Sequence, residues 1–313
     1  MTTPQIGHDR YFQFWRNLID AELQDLLPDR SEPTQLVNSA MNYAVSCGHR
    51  WRPMILIAAY ELGTGRKGLD VLDAACAVEL VHSCTIIVDD LPCVDSAGFR
   101  RGRPTCHKIY GEAATLYASH LLYAKAERLA YETAKRLGID GEAVWYYLAE
   151  TRERLVDAQV QEINLNQGAV KATLDSLERL YELKSYPFIL AGWLGSVLGN
   201  LELERRQALV SYSKYLGMAY QVIDDIQDAE GDPSKMGKAV GMDNGRVNVV
   251  RWAGVREARS TATDYVRKAE RALNGFSEEP SLLRNLMYRA VGISRAGSRF
   301  QSVNDRKHLA HAS

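Results

Sequence analysis

The sequence predicts an all-α fold: a single bundle of long helices around a central cavity, spanning residues 1–298, with a polar tail at 299–313. Three observations carry this expectation. None of the nine prolines falls between Pro104 and Pro187, between Pro187 and Pro233, or between Pro233 and Pro280, and these gaps are rich in the helix formers Ala, Leu, Glu, Lys and Arg. No run alternates apolar and polar residues for long enough to support a sheet. Two stretches, 71–88 and 212–223, are apolar nearly all round, as a helix at the centre of a bundle must be.

The elements follow in chain order. At the N-terminus, MTTPQIGHDRYFQFW has no basic head followed by an apolar run, so no secretory signal is expected. Residues 71–88 form the first central helix and run straight into Asp89 and Asp90. SAGFRRGRP at 96–104 is a short polar loop. In LLYAKAERLAYETAKRLG at 121–138, Leu122, Ala126, Leu129, Ala130 and Leu137 keep helical spacing, and Gly138 supplies the stop. The longest apolar stretches, such as 186–198, fall short of the roughly 20 residues that cross a bilayer, so no transmembrane segment is expected. Residues 212–223 form the second central helix and run into Asp224 and Asp225, and EGDPSKMGKAVGMDNG at 230–245 is a second polar loop. No linker, repeat or low-complexity run divides the chain.

Composition narrows the function classes. A hydrophobic share of 46% and a charged share of 25% suit a globular chain with a sizeable core. The 38 basic and 39 acidic residues nearly cancel, which argues against the broad basic surface of a nucleic-acid binder. Five cysteines, Cys47, Cys76, Cys84, Cys93 and Cys106, are an odd number without CxxC spacing. They point away from a disulfide framework or zinc site and toward a reducing, cytoplasmic setting.

Two constellations carry chemistry. In YQVIDDIQD, Gln221, Asp224, Asp225 and Asp228 stand at i, i+3, i+4 and i+7, on one helical face. Like charges so placed repel, the more so behind an apolar run, and a hard divalent cation with oxygen ligands removes the conflict. In VHSCTIIVDDLPCVD, His82 precedes Asp89 by two helical turns, and Pro92 loosens the helix so that Asp95 can turn back toward Asp89. Either cluster alone reads equally as an acidic helix end. Two of them, each closing a buried helix, point to carboxylates facing each other across a metal-binding cavity. Magnesium commonly shares a few carboxylates with substrate phosphates. Arg50, Arg52, Arg100, Arg101, Lys184, Lys238 and Arg246 lie near these clusters in sequence and suit phosphate oxygens.

With these residues in view, the chain resembles the trans-isoprenyl diphosphate synthases, most closely the bacterial geranylgeranyl diphosphate synthases, from about Gly48 to about Gly254. DDLPCVD with RRGRPT is similar to the family's first aspartate-rich motif, DDIQD to its second, and LDAACAVELVHS is also family-like. The resemblance implies magnesium as cofactor and two substrates, an allylic diphosphate and isopentenyl diphosphate, in a homodimeric enzyme. Asp89, Asp95 and Asp224 would hold the allylic diphosphate through magnesium, supported by Asp90, Asp225 and Asp228. Arg100, Lys184 and Lys238 would bind its phosphates. Arg52, His82 and Arg101 would meet isopentenyl diphosphate, with Gln221 and Ser185 as positioning groups. Cys84 and Thr85, five and four residues before Asp89, would face the growing chain. Neither is aromatic, which implies a twenty-carbon product, with Tyr117 and Tyr123 as candidates for a floor.

Departures mark where the resemblance is thinnest. GHRWRP has His49 where the family has a lysine for isopentenyl pyrophosphate, the later lysine–threonine pair reads Arg246 and Asn248, and Ser185 replaces a threonine. Val88, where farnesyl synthases often have histidine, matches carotenoid-type relatives. His49 and Asn248 leave open a class I terpene cyclase on the same scaffold, which ionises one allylic diphosphate without a partner. The regulatory subunits of heteromeric synthases commonly lose an aspartate cluster, and here both are intact.

Overall fold

The computed structural model describes residues 3–27, 34–230, 246–276 and 280–292, and it is helical almost throughout. Among the described residues thirteen α-helices account for the architecture. They are α1 (Thr3–Leu26), α2 (Gln35–Val45), α3 (Trp51–Thr64), α4 (Leu72–Asp89), α5 (Cys106–Tyr110), α6 (Glu112–Arg136), α7 (Gly141–Asn166), α8 (Leu174–Lys184), α9 (Tyr186–Leu198), α10 (Leu203–Glu230), α11 (Val249–Ala253), α12 (Val255–Ala272) and α13 (Ser281–Val291). The expected all-α class is what is found. One small exception lies inside the 96–104 loop, where β1 (Phe99–Arg100) and β2 (Arg103–Pro104) pair antiparallel, Arg100 opposite Arg103. The expected loop at 230–245 and tail at 299–313 lie largely or wholly outside the described residues, as does Lys238.

The two helices predicted to be central are central. α4 is surrounded by α6, α3, α9, α1 and α2, and α10 by α12, α9, α8, α11 and α13. α1 docks through Trp15, Ile19 and Leu23, a fully buried stripe at four-residue spacing. α6 stops where Gly138, at φ 73°, takes the left-handed conformation that its sequence position predicts, and the Ile139 amide reaches back to the Ala134 carbonyl. One expectation needs correction. Residues 68–89 are long and apolar enough to cross a membrane, so the claim that the apolar runs all fall short fails on this stretch. It is instead the core helix, mostly buried inside the protein, and its apolar surface is spent on packing.

α9 crosses α3 at close range because Gly195 has no side chain. A Cβ built there would lie 2.4 Å from the Leu56 carbonyl oxygen and 2.8 Å from Ala59 Cβ. Gly195→Val is therefore expected to destabilise the fold by about 3 kcal/mol through overpacking against backbone, measured as a lower midpoint in urea unfolding. A midpoint equal to wild type would show that the two helices can part freely.

Candidate active site

Both acidic clusters sit at the same end of the bundle. α4 ends at Asp89, with Asp90 as its C-cap, so two carboxylates stand at the negative end of a helix, where charge of that sign is disfavoured. Beyond Pro92 the chain folds back as expected. The Asp95 amide donates to the Asp89 carbonyl at 2.9 Å and the Ser96 amide to the Leu91 carbonyl at 2.9 Å. Asp95 thereby returns to the mouth of the cleft, where it pairs with Arg246. The second cluster lies on the last two turns of α10, inside the helix, as its i, i+3, i+4 and i+7 spacing implies.

The carboxylates differ in their surroundings. Asp89 accepts a 2.5 Å hydrogen bond from Gln159 Nε2 on α7. Burial pushes its pKa up to about 7, with Asp95 and Glu162 adding to the rise and Lys184 and Arg100 opposing it. Asp90, 2% exposed, binds Arg100 through Nε at 2.8 Å and Nη2 at 2.7 Å. Asp225 accepts from the Tyr181 hydroxyl at 2.6 Å, and that oxygen in turn accepts the Val249 amide at 2.9 Å. Asp228 is buried, whereas Asp224 is exposed on the cleft side.

Shared cations connect the clusters. Lys184 pairs with Glu162 at 2.6 Å; burial opposes its charge, but Glu162, Asp89 and Asp225 together raise its pKa. Arg100 likewise overcomes burial through Asp90, Asp89 and Asp224. Each of these cations thus answers to carboxylates from both motifs. A hard cation fits this donor set, since Asp89 is half-buried beside like charges and its carboxylate form calls for positive charge. Among the described residues no three His, Cys, Asp or Glu side chains converge into a ready-made metal cage.

A positive wall faces these carboxylates. Arg52 is 6% exposed, with its guanidinium 4.1 Å from the Phe188 ring centroid and 5.7 Å from that of Tyr220. Burial draws its pKa down to about 10, and its Nε is a buried donor with no hydrogen-bond partner. His82 is held well below the usual histidine range by burial and by Arg52, Arg101, Arg100 and Arg50, so it stays neutral at physiological pH. Arg101, at φ 53°, and Gly102, at φ 76°, form a two-residue turn between β1 and β2, which matches the twist of the strands. Arg101 is tied to the Cys47 carbonyl. A Cβ on Gly48 would lie 2.8 Å from Arg50 Nη1 and 3.2 Å from Arg101 Nη1, so this glycine makes room for the cations to converge.

Arg50, which sequence grouped with the phosphate ligands, is committed elsewhere. It sits in the left-handed region at φ 60° and is held by Asp20 at 2.7 Å, Glu79 at 2.6 Å and the Val45 carbonyl at 2.5 Å. His49 is exposed and stacks on Trp51, ring centroids 5.7 Å apart. Ser185 is buried; its hydroxyl donates to the Tyr181 carbonyl at 2.6 Å, and it packs where a Cβ on Gly217 would lie 2.5 Å from its own Cβ. Asn248 is the N-cap of α11, accepting the Arg251 amide at 2.9 Å. Gln221 is half-buried on the α10 face of the second cluster. Thr85 bonds to the His82 carbonyl at 2.9 Å and Cys84 to the Val81 carbonyl at 3.0 Å. Of the two candidate floor residues, Tyr123 is buried and donates to the Leu148 carbonyl at 2.6 Å, whereas Tyr117 is 62% exposed and does not line the interior of this chain.

The structure adds residues that sequence reasoning missed. Gln159 and Glu162 come from α7, and Tyr181 from α8. The available signal was the spacing of Gln159 and Glu162, three residues apart on a helix whose other faces are core or surface. A separate cleft of about 700 Å³, between α8, α11 and α12, shares only Val249 with this network.

Comparison with known proteins agrees with this geometry. A family model described as polyprenyl synthetase matches residues 34–269. The chain is 32% identical over 260 residues to geranylgeranyl pyrophosphate synthase 6, mitochondrial, of Arabidopsis thaliana, covering 79% of this chain and 77% of that one. It is 30% identical over 264 residues to farnesyl diphosphate synthase of Bacillus subtilis, covering 81% and 87%. A solved FPP/GFPP synthase from Zymomonas mobilis superposes with a TM-score of 0.80 at 25% identity, covering 92% of this chain and all of that one.

Proposed function

The chain belongs to the polyprenyl synthetase family and is a prenyltransferase, and from that premise we propose that it condenses an allylic diphosphate with isopentenyl diphosphate, with magnesium, to give geranylgeranyl diphosphate. The observation that carries this is the sharing of Lys184 and Arg100 between the two carboxylate clusters, opposite an arginine whose buried Nε lacks a partner.

Asp89, Asp95 and Asp224 are the residues that would hold magnesium, which when bound neutralises charge on the departing pyrophosphate. Lys184 and Arg100 add fixed positive charge at the same place, preorganised by Glu162 and Asp90. Lys238 is assigned to the same phosphates. Asp225, fixed by Tyr181, and Asp228 support Asp224 on its helix. Breaking the carbon–oxygen bond of the allylic diphosphate releases pyrophosphate and leaves an allylic cation. The isopentenyl double bond attacks that cation, and loss of one proton restores a double bond. Arg52 and Arg101 would hold the isopentenyl phosphates beside neutral His82. With its pKa far below the ordinary histidine value, His82 is a poor proton acceptor, so the released pyrophosphate is the better base. His49, stacked on Trp51 at the rim, adds a donor there in place of lysine.

Cys84 and Thr85 are small and bonded to carbonyls of their own helix, which leaves room for the twenty-carbon chain. The cyclase alternative loses one of its two supports, because Asn248 caps a helix, a role that threonine also fills. The assay is incubation with magnesium and farnesyl diphosphate, with and without isopentenyl diphosphate. The expected result is geranylgeranyl diphosphate only when both substrates are present. Hydrocarbon or alcohol from farnesyl diphosphate alone would overturn the assignment.

A homodimer and a cytoplasmic setting belong to the same proposal. Leu116, Tyr117 and Leu121 on α6, and Val156, Val160 and Ile163 on α7, are exposed apolar side chains on two helices that pack together, a surface suited to a second copy. All five cysteines are free, which supports a reducing compartment. Sedimentation equilibrium should give about 70 kDa, twice the chain mass of 35.1 kDa, and Tyr117→Lys should shift the mass toward the monomer. A monomeric wild type would remove the dimer from the account.

A further inference from the structure

The geometry points to Arg152, stacked on Tyr123 and paired with Glu127, as a charged floor that limits the length of prenyl chain this site can hold. This rests on the prenyl-transfer reading of the same cleft and assigns a residue that neither motif contains. On α7, Arg152, Leu155, Gln159 and Glu162 fall at i, i+3, i+7 and i+10, and so share one face. That face lines the cleft, since Gln159 reaches Asp89 and Glu162 reaches Lys184. Arg152, seven residues before Gln159, lies about 10 Å deeper along the helix axis.

Cys84, five residues before Asp89, lies about 7 Å below it on α4 by the same rise. The Cys84 thiol, pushed up to about 12 by burial, feels the Arg152 charge and is hydrogen-bonded with Ser119 on α6. One turn further along α6, Tyr123 is fixed by its bond to the Leu148 carbonyl. The Arg152 guanidinium lies 3.9 Å from the Tyr123 ring centroid, and its Nη2 is 3.0 Å from Glu127 Oε2. Three helices thus come together below Cys84, and a cation with half of its side chain exposed is part of that junction.

A wall of aliphatic side chains yields gradually to a longer ligand. This floor does not, because a chain that runs past Cys84 as far as Tyr123 must displace a permanent cation from an aromatic face and a carboxylate, and then bury methyl groups against charge. The test is calorimetric binding, in magnesium, of geranyl, farnesyl, geranylgeranyl and geranylfarnesyl thiolodiphosphates, which resist ionisation. In the wild type, affinity should fall about tenfold at the first length that exceeds the floor. Arg152→Leu should remove that break and lengthen the product by at least one isoprene unit, while Arg152→Lys should keep both. The same break in Arg152→Leu, with near-ultraviolet circular dichroism unchanged, overturns the proposal, as does equal affinity for all lengths in the wild type. Failure of the prenyl-transfer reading looks different: the length break and its loss in Arg152→Leu would appear without any elongation by isopentenyl diphosphate.

Discussion

Asp89→Ala and Asp224→Ala are each expected to lower kcat by about 10³-fold, the scale on which loss of one preorganised electrostatic partner acts. Both variants should keep their helical circular dichroism, because Asp89 lies at a helix end and Asp224 is exposed. Asp89→Ala should also melt at a higher temperature than wild type in the absence of metal. The sign follows from its pKa, raised by burial from the ordinary 3.8 to about 7. A carboxyl whose folded pKa exceeds its unfolded one disfavours folding once pH rises above the unfolded value, and removing it relieves that cost. An inactivating change that stabilises the metal-free protein is the signature of a group held for function. Steady-state kinetics with saturating magnesium, paired with thermal unfolding in chelator, measures both effects. Near-normal turnover in either variant would contradict the metal-site assignment.

The second large effect belongs to a residue outside both motifs. Glu79 is buried on α4 and holds Arg50 Nη1 at 2.6 Å, with Asp20 as the other, half-exposed partner. Glu79→Ala leaves a buried guanidinium short of its main counterion, at a cost of about 3–5 kcal/mol. The variant should also bind isopentenyl diphosphate more weakly, because Arg50 fixes the left-handed turn that leads into Arg52. Asp20→Ala should be milder. Urea unfolding of both variants, with the KM for isopentenyl diphosphate of any that fold, checks this. Equal, small losses would mean that Arg50 is adequately held by the Val45 carbonyl alone.

These two cases mark what was legible in the sequence. Asp89, Asp224 and their neighbours announced themselves because helical spacing turns sequence intervals into faces, and because carboxylates behind apolar runs demand an explanation. The return of Asp95 toward Asp89 followed from Pro92. Glu79 gave no such signal, since one acid in an apolar helix acquires meaning only when Arg50 arrives from 29 residues away. Gln159, Glu162 and Tyr181 were hidden for the same reason: their partners lie on other helices. Asn248 was visible as a departure, but its capping bond to the Arg251 amide depends on local backbone geometry that the sequence pattern did not specify. The 68–89 run has the length and apolarity of a membrane span, but its place at the centre of the bundle was legible because a helix apolar nearly all round needs neighbours on every side, and five others enclose it.

The central claim is that both aspartate clusters hold one allylic diphosphate through magnesium. Titrating farnesyl thiolodiphosphate into the wild type, Asp89→Ala and Asp224→Ala, with magnesium and with chelator, tests it directly. The account predicts tight binding only for wild type with magnesium, weakened about tenfold or more by chelator or by either substitution. Binding that survives chelator and both substitutions would contradict it.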